Sequence, residues 1–130
     1  MEDPIEVAMQ DARHHRNEGR AADAEQAYHR AADLARTNGS QPALAHALRH
    51  MSVLARQRGG SADAWAYASE AVELYRKSDD RLGLANAIRL QALSAYGAKE
   101  AKSCWQEARD LYLALGVIPG VDECDRHLRT

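Results

Sequence analysis

Cysteine, proline, lysine and strand-forming residues are all scarce in this 130-residue chain, and each scarcity excludes a class of protein. Cys104 and Cys124 sit inside helical patterns and are too few for a disulfide framework, so they read as buried thiols in a reducing compartment. With only three prolines and few strand formers, against abundant alanine, leucine, glutamate and arginine, helix is the only regular element expected. No apolar run approaches the ~18 residues of a membrane span, and the start MEDPIEV lacks the basic-then-apolar order of a signal peptide. A soluble cytoplasmic protein is expected, without a membrane partner. The formal charge of -2 and pI near 6.3 argue against a general nucleic-acid binder, which needs a basic face without an acidic counterweight. The length fits one domain spanning 1–130.

What the chain does contain is repetition. Shifting 59–89 back by forty residues lays it over 19–49. Gly19, Ala22, Asp23, Ala24, Ala31, Leu34, Arg36, Leu44, Ala45, Ala47 and Arg49 recur as Gly59, Ala62, Asp63, Ala64, Ala71, Leu74, Arg76, Leu84, Ala85, Ala87 and Arg89. A third copy, three residues shorter, returns Ala64, Glu70, Ala71, Leu74, Tyr75 and Gly83 as Ala101, Glu107, Ala108, Leu111, Tyr112 and Gly120. Internal periods of ~20 to 50 residues mark stacked repeats. Breakers and caps then predict seven helices, at about 4–18, 21–37, 42–58, 61–77, 81–96, 98–115 and 120–129. Gly19, Asn38-Gly39 and Gly59-Gly60 are the stops, Ser40 and Ser61 the expected caps, and Ser78-Asp79-Asp80 a turn and cap together. Short turns between helices predict antiparallel neighbours.

Apolar stripes at helical spacing supply a core. In the third helix Leu44, Ala47, Leu48, Met51, Leu54 and Ala55 share one face, and in the fourth Ala64, Tyr67, Ala68, Ala71, Leu74 and Tyr75 do. Recurring alanines let helices approach closely, leaving Tyr28 and Trp105 to fill the gaps between pairs.

These residues resemble the tetratricopeptide repeat (TPR) family, whose second helix carries Ala, then an aromatic residue four positions on, then Ala three further. Ala24, Tyr28 and Ala31 match, as do Ala101, Trp105 and Ala108, while the middle copy has Ala68 in the aromatic place between Ala64 and Ala71. Gly19 and Gly59 match the turn glycine. The Trp-x-x-Leu-Gly pattern and closing proline are absent, and the period of forty or thirty-seven looks like that of the family's extended variants. The resemblance covers about 5–128. It implies an all-α, right-handed α-solenoid of three helical hairpins, at about 5–37, 42–78 and 81–115, plus a capping helix at about 119–129. It further implies a non-catalytic protein-protein interaction scaffold without a cofactor, the first helix of each unit lining a concave surface and the second forming the back.

Charge is sorted by helix. The third carries His46, Arg49, His50, Arg56 and Arg58 with no acid, and the fifth Arg81 and Arg89 with none, whereas the fourth holds Asp63, Glu70 and Glu73. At 100° per residue the exposed side of the third displays His46, Arg49, Val53 and Arg56, and that of the fifth Asn86, Arg89, Leu93 and Tyr96. The first helix adds Arg13 and Arg16, and the seventh Glu123 and Arg126. A basic groove over a more acidic back is expected to bind an acidic, partly apolar peptide or partner protein along an arginine ladder of Arg49, Arg89 and Arg126. Two other readings compete. The arginines pair with carboxylates of their own molecule, or the chain self-associates as a homodimer with the acid-rich seventh helix in a neighbour's groove.

Sites for chemistry are sparse. Gly59-Gly60 is not followed by the Lys-Ser or Lys-Thr of a phosphate loop. His46 and His50 could share a metal by spacing, yet two ligands are too few for zinc. Asp11 and His15 have no Ser or Cys nucleophile beside them, and Cys104 next to Trp105 reads as packing. No metal and no catalytic centre is expected, and an enzyme or metal-binding protein is the weakest of the alternatives.

Overall fold

The computed structural model describes residues 2–130, which form seven α-helices and no strand. They are α1 (Pro4–Asn17), α2 (Ala21–Asn38), α3 (Gln41–Gln57), α4 (Ser61–Arg76), α5 (Arg81–Leu93), α6 (Ala98–Leu115) and α7 (Ile118–Leu128). Proline opens α1, α3 and α7 in the first turn, where its missing N–H costs nothing. The chain leaves α1 and α3 through Gly19 and Gly59, at φ of 76° and 87°, a left-handed conformation open to glycine and strained for other residues.

Three local expectations fail for identifiable reasons. Ser40 precedes α3 but its side chain makes no capping bond, and Gly60 takes the cap position of α4, leaving Ser61 inside the helix. The working caps are Asp3, accepting from Ile5 N–H at 2.9 Å, and Asp80, accepting from Gly83 N–H at 2.8 Å. Helix α5 stops at Leu93, three residues short of Tyr96. There the Ser94 hydroxyl turns back to the Leu90 carbonyl, and Gly97 is extended ahead of α6.

Consecutive helices pack on one another throughout, from α1 on α2 to α6 on α7, in a repeat-like arrangement. Alternate helices are cross-linked as well. Arg16 of α1 reaches His50 of α3, and Arg89 of α5 reaches Glu123 of α7. In the other series Arg36 of α2 holds Glu70 of α4 with both guanidinium nitrogens, and Arg76 of α4 holds Glu107 of α6 in the same way. The second of these pairs is the first moved on by one repeat, so the periodicity of the sequence is a periodicity of contacts.

The small residues occupy the contact lines: Ala24, Ala31, Ala64, Ala68, Ala71 and Ala108 are all fully buried. Tyr28 at 0% and Trp105 at 4% exposure fill the spaces that these alanines leave. Every residue of the α3 stripe is buried, and in α4 Tyr67 and Leu74 are half-buried at its edge. Leu48, Met51 and Ile88, each buried completely or nearly so, contribute about 1.5–3 kcal/mol apiece by leaving water. Tyr75 and Tyr112 pack against Gly83 and Gly120, so close that a Cβ on either glycine would sit 2.4 or 2.5 Å from the ring. This explains why tyrosine and glycine recur together across the shortened third copy.

Candidate functional site

Arg49, His50 and Val53 of α3 meet Asn86, Arg89 and Leu90 of α5 around one shallow depression. Four of the expected groove residues, Arg49, Val53, Asn86 and Arg89, are therefore brought together by the packing of these two helices. Their states differ. Arg89 Nε donates to Glu123 Oε1 at 2.6 Å, and that bond raises the arginine's pKa and holds the carboxyl below its usual range. Asn86 accepts at Oδ1 from the Tyr112 hydroxyl at 2.6 Å, and burial pushes that phenol up to about 12, which keeps it a donor. Arg49, half-buried, has no carboxylate within 4.0 Å among the described residues. Its neighbour is the hydroxyl of Tyr75, which burial raises and Arg49 partly offsets.

At the α1 edge, Arg16 Nη1 donates to His50 Nδ1 at 2.9 Å. Because a guanidinium does not give up its proton, that ring nitrogen is the unprotonated one. The His50 ring lies 4.6 Å from that of His46 and stacks on Tyr28 with centroids 5.0 Å apart and planes 8° from parallel. Burial first, then repulsion of its proton by His46, Arg16, Arg49 and Arg13, takes His50 down to about 3. His46 is lowered by burial first, then by Arg49 and Arg13. Both imidazoles are neutral near pH 7. Arg13 is turned to Glu6 of its own helix, at 3.0 Å.

The remaining expected residues lie elsewhere. Tyr96 is 78% exposed and sits beyond the end of α5, its ring edge-on to Trp65 of α4 at 5.4 Å, so it does not extend the Asn86–Arg89–Leu93 row. Arg56 and Leu93 border a separate depression with Lys102, Trp105 and His127. Arg126 is exposed and has no carboxylate partner among the described residues. The ladder is thus interrupted at Arg89 by the chain's own Glu123. Helix α7 also gives Asp125 to Arg109, which leaves less of its acidity for a neighbouring molecule. On the even-numbered helices Arg36 and Arg76 pair with Glu70 and Glu107, and Arg58, at the end of α3, binds Glu25 and Asp63.

His50, Tyr75 and Tyr112 belong to the surroundings of the site and were missed by counting exposed positions alone. The recurrence of Tyr75 as Tyr112 was the available signal. The stack also recurs: Trp105 and His127, centroids 3.9 Å apart and planes 5° from parallel, stand two repeats beyond Tyr28 and His50.

The thiols are poorly suited to nucleophilic work, because burial raises Cys104 and pushes Cys124 up to about 11. The Ser52 hydroxyl is buried and donates to the Ala64 carbonyl. Among the described residues no three His, Cys, Asp or Glu side chains converge as metal ligands, and no helix is long and apolar enough to cross a membrane. No protein-family model matches the chain, and no curated protein matches it in sequence.

Proposed function

We propose that the chain is a TPR-like right-handed α-solenoid, three helical hairpins and a capping helix, acting in the cytoplasm as a non-catalytic protein-binding module. Its ligand is an acidic, partly apolar peptide segment or chain terminus of a partner protein, bound along α1, α3 and α5. Arg49 carries this reading. It is half-buried and without a carboxylate among the described residues, beside the apolar Val53 and Leu90, in a depression whose second arginine already holds an acid. The chain's own Arg89–Glu123 contact is a template for what a ligand carboxylate would do one repeat earlier. Calorimetric titration with a small set of acidic peptides tests the proposal: affinity that drops about tenfold in Arg49→Ala supports it, in line with the loss of one charge-assisted contact. Unchanged affinity in that variant would remove the depression from consideration.

A self-associating module is the second reading. Leu113, Leu115 and Ile118 are all exposed around the α6–α7 corner, apolar surface that a second copy could cover. Light scattering over a range of concentration and salt separates the two, since an apolar dimer persists at high salt whereas an acidic peptide is released.

A further inference from the structure

The α1–α3 edge of the depression holds more positive charge than a peptide carboxylate needs. Arg13 and Arg16 of α1 and Arg49 of α3 gather around His46 and His50, and among the described residues the only acid paired with any of them is Glu6, on Arg13. Two guanidinium charges remain uncompensated among the described residues. Beneath them Tyr28 is fully buried, and its hydroxyl has no hydrogen-bond partner among the described residues. Arg16 and Arg13 are the charges that act on that hydroxyl. A buried donor left unpaired costs about 1–3 kcal/mol, and the fold carries that cost directly under these cations.

Packing does not account for the arginines. The equivalent stack of Trp105 on His127 stands two repeats away with Leu93 at the position of Arg16. Aromatic and imidazole rings pack there with no arginine hydrogen-bonded to the imidazole among the described residues, so the stack itself does not require the Arg16 contact. The His50 ring, with Nδ1 occupied by Arg16, keeps its proton on Nε2 as a third donor.

Building on the peptide-binding reading, we propose that Arg16, Arg49 and His50 form a subsite for a phosphoryl group carried on the partner's peptide, a phosphoserine or phosphothreonine. A phosphoryl dianion matches the two uncompensated charges, where a carboxylate would leave one unmatched. Its three oxygens accept from the two guanidinium forks and one imidazole N–H. Arg16 is exposed and on a flexible stem, so it turns from His50 to the ligand without disturbing α1.

The test compares one acidic peptide carrying serine, aspartate or phosphoserine at a single position, against the wild-type chain, Arg16→Ala, Arg49→Ala and the remote control Arg36→Ala. Inorganic phosphate alone is titrated in parallel, with the imidazole resonances of His46 and His50 observed by NMR. Phosphoserine is expected to bind at least about tenfold more tightly than aspartate in the wild type and in Arg36→Ala. That preference is expected to vanish in Arg16→Ala and Arg49→Ala, and phosphate is expected to raise the pH at which His50 titrates. Equal affinity for phosphoserine and aspartate in the wild type would overturn the subsite while leaving the acidic-peptide reading intact. Phosphate binding at His50 with no peptide binding at all would overturn the peptide reading and reduce the subsite to one for free phosphate, and silence in both arms would end both.

Discussion

Arg89 donates to Glu123 at 2.6 Å, while its repeat equivalent Arg49 shares its depression with Asn86, the amide at the position that corresponds to Glu123. One repeat closes the cation with an internal acid and the preceding repeat leaves it open. The two arginines therefore have separate roles. Arg89→Ala strands a half-buried carboxylate and loosens α7, so a loss of about 1 kcal/mol is expected. Arg49→Ala leaves stability within about 0.5 kcal/mol of wild type. Urea denaturation of both variants checks this, and equal losses would show that the contact of Arg49 with the Tyr75 hydroxyl stabilises the fold as much as the Arg89–Glu123 pair does.

His50 should make stability depend on pH. Its folded-state pKa of about 3 lies below the ordinary imidazole value, so between the two the unfolded chain binds a proton that the folded chain refuses. The stabilisation is complete above about pH 6.5 and drains away as the pH falls from there toward 3. Arg13 and Arg16 from α1, Arg49 and His46 from α3, Arg89 across the depression and the stacked Tyr28 all face or flank the ring, and none is an acid that could shelter the proton. After allowance for solvent screening, about 1–2 kcal/mol should be lost between pH 7 and 4.5. Glu107 and Glu123, held below their usual values by Arg76 and Arg89, also lose stabilisation as the pH falls into the ordinary carboxylate range, so His50→Gln is needed to isolate the imidazole's share. Denaturant midpoints for the wild type and His50→Gln should therefore diverge on acidification, the variant changing least.

Gly120→Ala should destabilise by about 1–3 kcal/mol, because the added methyl overlaps the Tyr112 ring, itself anchored by its hydroxyl on Asn86. The double variant with Tyr112→Leu should recover part of the loss. A simple helix-propensity effect predicts stabilisation instead, so the sign of the change in melting temperature decides between the two.

Tyr96→Ala should leave the affinity for acidic peptides unchanged, since the ring packs on Trp65 away from Arg49. Peptide titration checks this directly; weaker binding would extend the contact surface around the α5–α6 turn.

Much of the helical order was legible in the residues, because periodic alanines, glycines and prolines act through local backbone energetics and through the small size of the side chain. The miss at Tyr96 came from treating the periodicity of α5 as continuing into a turn, where Ser94 folds back on Leu90. Candidate site residues were legible as types and only in part as a site. Arg13, Arg49 and Arg89 read alike in the sequence, yet one is paired within its helix, one is open and one is closed by a helix more than thirty residues away.

The sequence by itself determined that the chain would be helical, repetitive and rich in arginine on α3 and α5, since these are properties of spacing and composition. Tertiary structure alone decided which charges remain uncompensated. Pairing depends on distances of a few ångströms between side chains on different helices, and those distances are set by how closely the buried alanines and the two glycine-packed tyrosines let the helices approach.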